Sequence, residues 1–202
     1  MSKIKKYKIG RRLGAGVYEQ CQTQKFALSE QKRGGGKRMT KRKQVSDYGA
    51  QLIEKQKVRF SYGIREKQLQ KYVEFAMAKK GSNVDHLFEA VEMRLDNVVY
   101  RLGLAETRAK ARQVVTHGHI TVNGKRLNIP SYKVSVGEII GIKAQSQNKG
   151  LFENLEERIK DTKTPNWLSF DIKKKEGKVV GVPKIGTAEF FDLGAVFEYY
   201  SR

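Results

Sequence analysis

The stretch that decides the fold is residues 94–142, RLDNVVYRLGLAETRAKARQVVTHGHITVNGKRLNIPSYKVSVGEIIGI. From Leu95 the apolar residues fall at Leu95, Val98, Val99 and Leu102, the spacing of one helix face, and Gly103 offers a stop. Arg94 and Arg101 lie off that face, where they are expected to be free to reach a partner. Thr107 is placed to cap a second helix whose buried side uses Ala111, Val114 and Val115. Arg108 and Arg112 sit one turn apart on another side of it, with Lys110 between them, and Gly118 ends it.

Beyond Gly118 the period changes from helical to two. Ile120 and Val122 face one way, Thr121 and Asn123 the other, and Asn123-Gly124 supplies a strong hairpin turn. Lys125 and Arg126 flank that turn. Leu127 and Ile129 are expected to return as a strand that Pro130 breaks, and Val134, Val136, Ile140 and Ile142 to rebuild sheet around a turn at Gly137. Two helices and a small antiparallel sheet with basic side chains left over read as an RNA-gripping module.

Charge supports that reading through its location. The chain has 202 residues and a formal net charge of +20, which points to a polyanionic partner. Residues 1–60 hold 17 basic and 4 acidic residues and residues 94–150 hold 10 and 3, whereas 61–93 and 151–202 are balanced at 5 and 5 and at 9 and 9. A general solubility device would not need that partition; two anion-binding surfaces would produce it. Five of the module's cations, Arg94, Arg108, Arg112, Lys125 and Arg126, are expected to contact RNA, although an exposed basic side chain is more often merely solvated. Arginine suits the task because its planar fork pairs with phosphate and stacks on an unpaired base.

The flanks read as follows. Residues 1–43 contain KIKKYK, RR, KRGGGKR and KRK with little apolar periodicity, so they are expected to lack a core and to order only against RNA or a neighbour; a solvated tail is the plainer alternative. Ser46 caps a first helix, a turn near Tyr62-Gly63 leads to a second from about Ile64 to Lys80, and a third runs from Val84 to about Val91. A helix from about Leu151 to Ile159 and a strand pair or extended segment around Glu176-Gly177 follow the module. The helices of 46–91 and the tail with Trp167, Leu168, Phe190, Phe191, Val196 and Phe197 both expose apolar faces, most simply buried against each other. The expected fold is therefore α+β, in four parts: a basic arm (1–43), a helical domain (44–92), the module (93–148) and a C-terminal segment packing on the helical domain (149–202).

Other chemistry finds little support. His117-Gly118-His119 could suggest metal ligands, but no third ligand type is nearby; contact with an RNA phosphate or base, or two half-exposed turn residues, are the competing readings. The glycines at 14–16 and 34–36 match no phosphate loop and read as linkers. The single cysteine, Cys21, excludes an intramolecular disulfide, fits a reducing compartment and has no histidine in its local sequence. No apolar run approaches the roughly 20 residues of a membrane span, and the basic N-terminus lacks the apolar core of a secretory signal, so a soluble, cytoplasmic chain without cofactor is expected.

The runs RLD, TRAKARQVV and HGHITVNGKR resemble the RNA-binding domain named after small-subunit ribosomal protein number four. SDYGAQLIEKQKVRFSYGIREKQ at 46–68, NIPSY at 128–132, PNWL at 165–168 and the closing FEYYSR resemble that ribosomal family itself, in order and over nearly the whole chain from residue 44. The resemblance implies a non-catalytic constituent of the small ribosomal subunit that binds 16S rRNA early, near a multi-helix junction of its 5′ domain. It also implies contacts with small-subunit proteins five and three, a part in decoding accuracy, and a place lining the channel where messenger RNA (mRNA) enters. Lys41, Arg42 and Lys43 match the basic residues assigned to that channel, with Lys37 and Arg38 in the same arm. Arg94, Arg101, Arg108, Lys110, Arg112, His117, His119, Lys125 and Arg126 are the expected rRNA contacts. Many relatives carry four zinc-binding cysteines near the N-terminus; here Cys21 stands alone and Phe26 occupies the place of the last, which implies a zinc-free form. The same module also occurs in RNA-modifying enzymes such as pseudouridine synthases, and some relatives repress their own message; both remain alternatives.

Overall fold

The computed structural model describes residues 5–34, 46–147, 150–152, 155–161, 164–186 and 190–201. In chain order the helices are α1 (Lys6–Leu13), α2 (Gln24–Gly34), α3 (Asp47–Ser61), α4 (Glu66–Ala78), α5 (Asn83–Glu92), α6 (Leu95–Arg101), α7 (Arg108–Thr116), α8 (Leu155–Asp161) and α9 (Leu193–Tyr200). The strands are β1 (Ile120–Val122), β2 (Lys125–Arg126), β3 (Ile139–Ile142), β4 (Leu168–Asp171) and β5 (Glu176–Val179). Two units emerge, one from residues 1–77 with 186–202 and the other from the contiguous residues 78–185.

In the contiguous unit, α6 and α7 pack their apolar faces on one antiparallel sheet of order β2-β1-β3-β5-β4. Leu95, Val98, Val99, Leu102, Ala111, Val115, Ile120 and Ile140 are all fully buried there. Asn123 and Gly124 both take positive φ, 49° and 77°, as a two-residue hairpin between β1 and β2 requires. The expected strand at Leu127–Ile129 is not formed: pairing continues only as far as the Leu127 N–H donating to the Ile120 carbonyl, and β3 begins at Ile139, not at Val134. The segment between has another task. The N–H groups of Leu95 and Asp96 donate to the carbonyls of Tyr132 and Pro130, and the Val134 N–H donates to the Met93 carbonyl. The first turn of α6, whose N-cap Arg94 makes no side-chain cap, thereby has two of its orphan donors satisfied by main chain.

The C-terminal strand pair differs from expectation in place and in partner. Glu176 and Gly177 lie within β5, and the turn is Ile172–Lys175, where the Asp171 carboxylate accepts from the Lys173 and Lys174 N–H groups and Lys175 takes φ 55°. β5 pairs with β3 through Ile139–Lys178, Ile140–Gly177 and Gly141–Glu176, so this hairpin extends the module's sheet. Gly177 is required: a Cβ there would overlap the Leu102 side chain. The C-terminal segment is thus divided, with residues up to 185 in the contiguous unit and only 186–202 joining the helical one; α5 likewise falls with the module.

The discontinuous unit is held by α9 lying on α3. Asp192 caps α9 by accepting from the Gly194 and Ala195 N–H groups. Gln51 donates to Glu198 at 2.8 Å. Lys55, only 4% exposed, donates to Glu66 at 2.6 Å and lies 4.1 Å from the Tyr199 ring centre, while the Tyr200 hydroxyl donates to Glu66 at 2.7 Å. Burial alone would raise the Glu66 carboxyl, but hydrogen bonds from Lys55 and Tyr200 and the charges of Lys55 and Arg59 hold it below the usual carboxylate range. The N-terminal segment departs most from expectation. Residues 5–34 form α1, two short 3-10 turns and α2 around buried Leu13, Val17, Cys21 and Phe26. Gly10 lets Cys21 and Phe26 approach the backbone of α1, and the glycines at 14 and 16 belong to this fold, not to a linker.

Candidate nucleic-acid interface

Two buried carboxylates organise the arginines of α6 and α7. Asp96, 3% exposed, accepts from Arg94 (Nε to Oδ1 3.0 Å, Nη2 to Oδ2 2.8 Å) and from Arg112 (Nε and Nη2 to Oδ2, 2.9 and 2.6 Å). Glu92, 1% exposed, accepts from Arg101 (Nε to Oε2 2.9 Å, Nη2 to Oε1 2.6 Å) and from the Asn97 amide at 3.0 Å. Asn97 in turn accepts from Arg108 Nε at 2.8 Å, and the Arg108 guanidinium stacks 4.5 Å from the centre of the Tyr100 ring. Four guanidiniums therefore meet two carboxylates, and the cluster keeps a positive balance. Bidentate pairing fixes the plane of Arg101 as a point charge could not fix a lysine.

Exposure ranks these arginines. The side chains of Arg112 and Arg101 remain 36% and 27% exposed, Arg108 17%, and Arg94 only 5%. The expectation that Arg94 is free to reach a partner is therefore corrected: as the N-cap of α6 it is bridged to Lys133 across an extended segment and turned inward onto Asp96. It holds Asp96 in place for Arg112. Arg101, also expected to be free, is tied to Glu92 but keeps an exposed edge.

A second group gathers where α7 ends. Gly118 takes φ 71°, and the Arg126 guanidinium lies in the space a Cβ there would need, so β2 folds its arginine back over the end of α7. His117 and His119 stand with ring centres 6.1 Å apart, and His119 Nδ1 is 3.0 Å from the buried Ser146 hydroxyl. Lys125 and Arg126 are exposed and Lys110 half-buried, and no side-chain hydrogen bond or ion pair holds any of the three among the described residues. Lys37, Arg38, Lys41, Arg42 and Lys43 lie outside the described residues.

Lys173, Lys174, Lys175 and Lys178 do not stand out in the sequence, because acids elsewhere in residues 151–202 balance their charge. The structure puts all four on the hairpin that extends the module's sheet, three of them in a turn ordered by Asp171. The signal is present as three consecutive lysines, one residue beyond an alternating strand pattern, LSFD. Lys133 was also passed over; it pairs with Glu89 at 2.6 Å.

Among the described residues no group of three or more His, Cys, Asp and Glu side chains is arranged to hold a metal ion. Burial pushes the Cys21 thiol up, away from the reactive thiolate. Among the described residues no helix is long and apolar enough to cross a membrane.

Comparison with known proteins gives two family matches in series. The model of the ribosomal protein S4/S9 N-terminal domain matches residues 2–92, and that of the S4 domain matches residues 93–140. Among curated proteins, the chain is 46% identical over 200 residues to small ribosomal subunit protein uS4 of Roseiflexus castenholzii. It is 44% identical over 202 residues to that of Acetivibrio thermocellus, and 43% identical over 202 residues to uS4A of Alkaliphilus oremlandii. Each alignment covers 96% of both chains.

Proposed function

The chain belongs to the small ribosomal subunit protein uS4 family, and from that premise we propose that it is a non-catalytic constituent of the ribosome that grips ribosomal RNA. The observation that carries the reading is the pair of buried carboxylates, Glu92 and Asp96, which hold Arg101 and Arg112 in fixed planes, with Asn97 holding Arg108 beside them, at the edge of α6 and α7. Prearranged guanidiniums lose less side-chain freedom on meeting phosphate than lysines on open surface. Arg126, Lys125, Lys110 and the lysines of the β4–β5 turn add cations without fixed partners. Such a surface reads the shape of folded RNA, since aromatic side chains for stacking single-stranded bases are sparse on it.

The finer assignment follows the family. The partner is the 5′ domain of 16S rRNA at a helical junction, bound early so that the domain assembles around it, with small-subunit proteins five and three as neighbours. Lys41, Arg42 and Lys43 are assigned to contact with mRNA at its entry, Lys37 and Arg38 to RNA contact by the same arm, and the protein contributes to accuracy of decoding. Its location is the cytoplasmic ribosome.

The test is binding of the full chain to a 5′-domain transcript and to an unrelated RNA of equal length across a salt series. Charge alone gives a log-log slope of about −0.7 to −0.9 per phosphate neutralised for both RNAs. A preference for the 5′ domain that persists at high salt supports the assignment. Equal binding would leave a generic basic RNA binder.

A further inference from the structure

The discontinuous unit carries a feature that the RNA-gripping unit does not explain. An open cleft of about 350 Å³ lies between α1 and α3, with Ile9, Leu52, Ile53 and Phe60 as its apolar wall and Arg12 and Arg59 at its polar edge. Leu13 in its lining is buried, whereas Ile9, Leu52, Ile53 and Phe60 are only half-buried. The Arg59 guanidinium stands 5.1 Å from the centre of the Phe60 ring and donates to Gln56 at 3.2 Å, so it is partly oriented. Arg12 is exposed, and no hydrogen bond or ion pair holds it among the described residues. α1 itself, KYKIGRRL, holds four cations and no acid.

An aromatic ring, an aliphatic wall and two arginines at the rim suit one class of occupant. A purely apolar ligand or an apolar helix would cover the Arg12 guanidinium without a counter-charge, and that of Arg59 with only Glu66 at 3.8 Å. A metal ion would find no anionic ligand in the lining. A nucleotide has a flat face for Phe60 and an anion for Arg12 and Arg59, and the cleft falls within the size of small-ligand sites, about 300–1,000 Å³. We propose that this cleft receives a single unstacked nucleotide of the bound RNA, its base against Phe60 and its phosphate between Arg12 and Arg59. The inference rests on the reading of the chain as an RNA-binding protein and adds to it a second kind of contact, with a splayed base, in the helical unit.

The experiment uses the full chain bound to a 5′-domain transcript carrying 4-thiouridine, irradiated and mapped by peptide mass spectrometry, with the variants Phe60→Leu and Arg12→Gln alongside. Phe60→Leu keeps apolar volume but removes the ring, and Arg12→Gln alters only an exposed side chain, so circular dichroism should match the parent. The expected result is a cross-link on α1 or α3 that both variants abolish, with affinity for the transcript falling about 5- to 150-fold in Phe60→Leu, the range for one lost base–aromatic stack. Selective binding of the transcript with no cross-link in these helices, and both variants within twofold of the parent, overturns the inference and leaves the family function standing. No selective binding at all overturns both. Protection of the cleft by a synthetic acidic peptide, with no cross-link to RNA, also overturns it and assigns the face to a protein.

Discussion

Replacing Asp96 with Asn should do far more harm to folding than replacing the arginine it holds. Asp96 is 3% exposed and is the shared acceptor of Arg94 and Arg112. Its loss leaves the guanidinium of Arg94, 5% exposed, buried without a counter-charge, a change that typically costs about 3–5 kcal/mol. Removing Arg112 instead leaves Asp96 paired with Arg94, and because the Arg112 side chain is about a third exposed, the cost should stay near 1 kcal/mol. In a unit of about 110 residues each kcal/mol corresponds to roughly 4–8 °C in Tm. Asp96→Asn should therefore lower the Tm of the contiguous unit by at least about 10 °C, and Arg112→Ala by less than about 8 °C. RNA binding should show the opposite order once both variants are measured below their melting points, with Arg112→Ala losing affinity directly. Thermal unfolding by circular dichroism, paired with filter binding at fixed salt, separates the two. An Asp96→Asn protein within about 1 kcal/mol of the parent would refute the claim that this carboxylate anchors the arginine cluster.

Further outcomes follow from the same structure. Gly177→Ala forces a methyl group into the Leu102 side chain and should cost about 1–3 kcal/mol, read as a shift in the urea midpoint. Neutralising Lys125 and Arg126 together should weaken 5′-domain and unrelated RNA alike and reduce the salt slope by about 1.4–1.8; an unchanged slope would remove β2 from the contact surface. Lys173, Lys174 and Lys175 changed to Ser should behave in the same way, with little change in Tm since all three are in an exposed or half-exposed turn. Glu66 has a folded pKa below its unfolded value, so its contribution is complete above the ordinary glutamate range and fades as pH falls through the depressed value. Hydrogen exchange in α9 should accelerate over that acidic window in the parent, and Glu66→Gln should abolish the step.

The module was legible because its signals are local. The face Leu95, Val98, Val99, Leu102, the cap at Thr107 and the Asn123-Gly124 turn each declare themselves within a few residues, and each is found where the pattern puts it. What escaped depends on distant chain. A helical wheel places Arg94 on an open side; only the segment from Pro130 to Val134, laid across the start of α6, encloses it. A strand pair is legible at 168–179, but its turn lies at Ile172–Lys175 and not near Glu176-Gly177, and nothing in its own residues says that β3 is its neighbour. The N-terminal core was misread for another reason. Leu13, Val17 and Cys21 recur every four residues, yet the glycines at 14 and 16 and the density of cations hid the pattern.

The division of the chain has a consequence for the order in which the protein is made. The unit spanning 78–185 is continuous, and every strand of its sheet has been synthesised before α9 exists. The other unit is split: α3 and α4 must wait for a helix whose contacts Gln51–Glu198 and Glu66–Tyr200 span 147 and 134 residues. At about 5–20 residues per second the wait is roughly 7–30 s. By the end of that interval the nascent chain carries a synthesised arginine cluster while its earlier-made helices still lack their closing partner. RNA could be engaged by the later-made part first, and the long-range closure of α9 onto α3 becomes the final step of maturation.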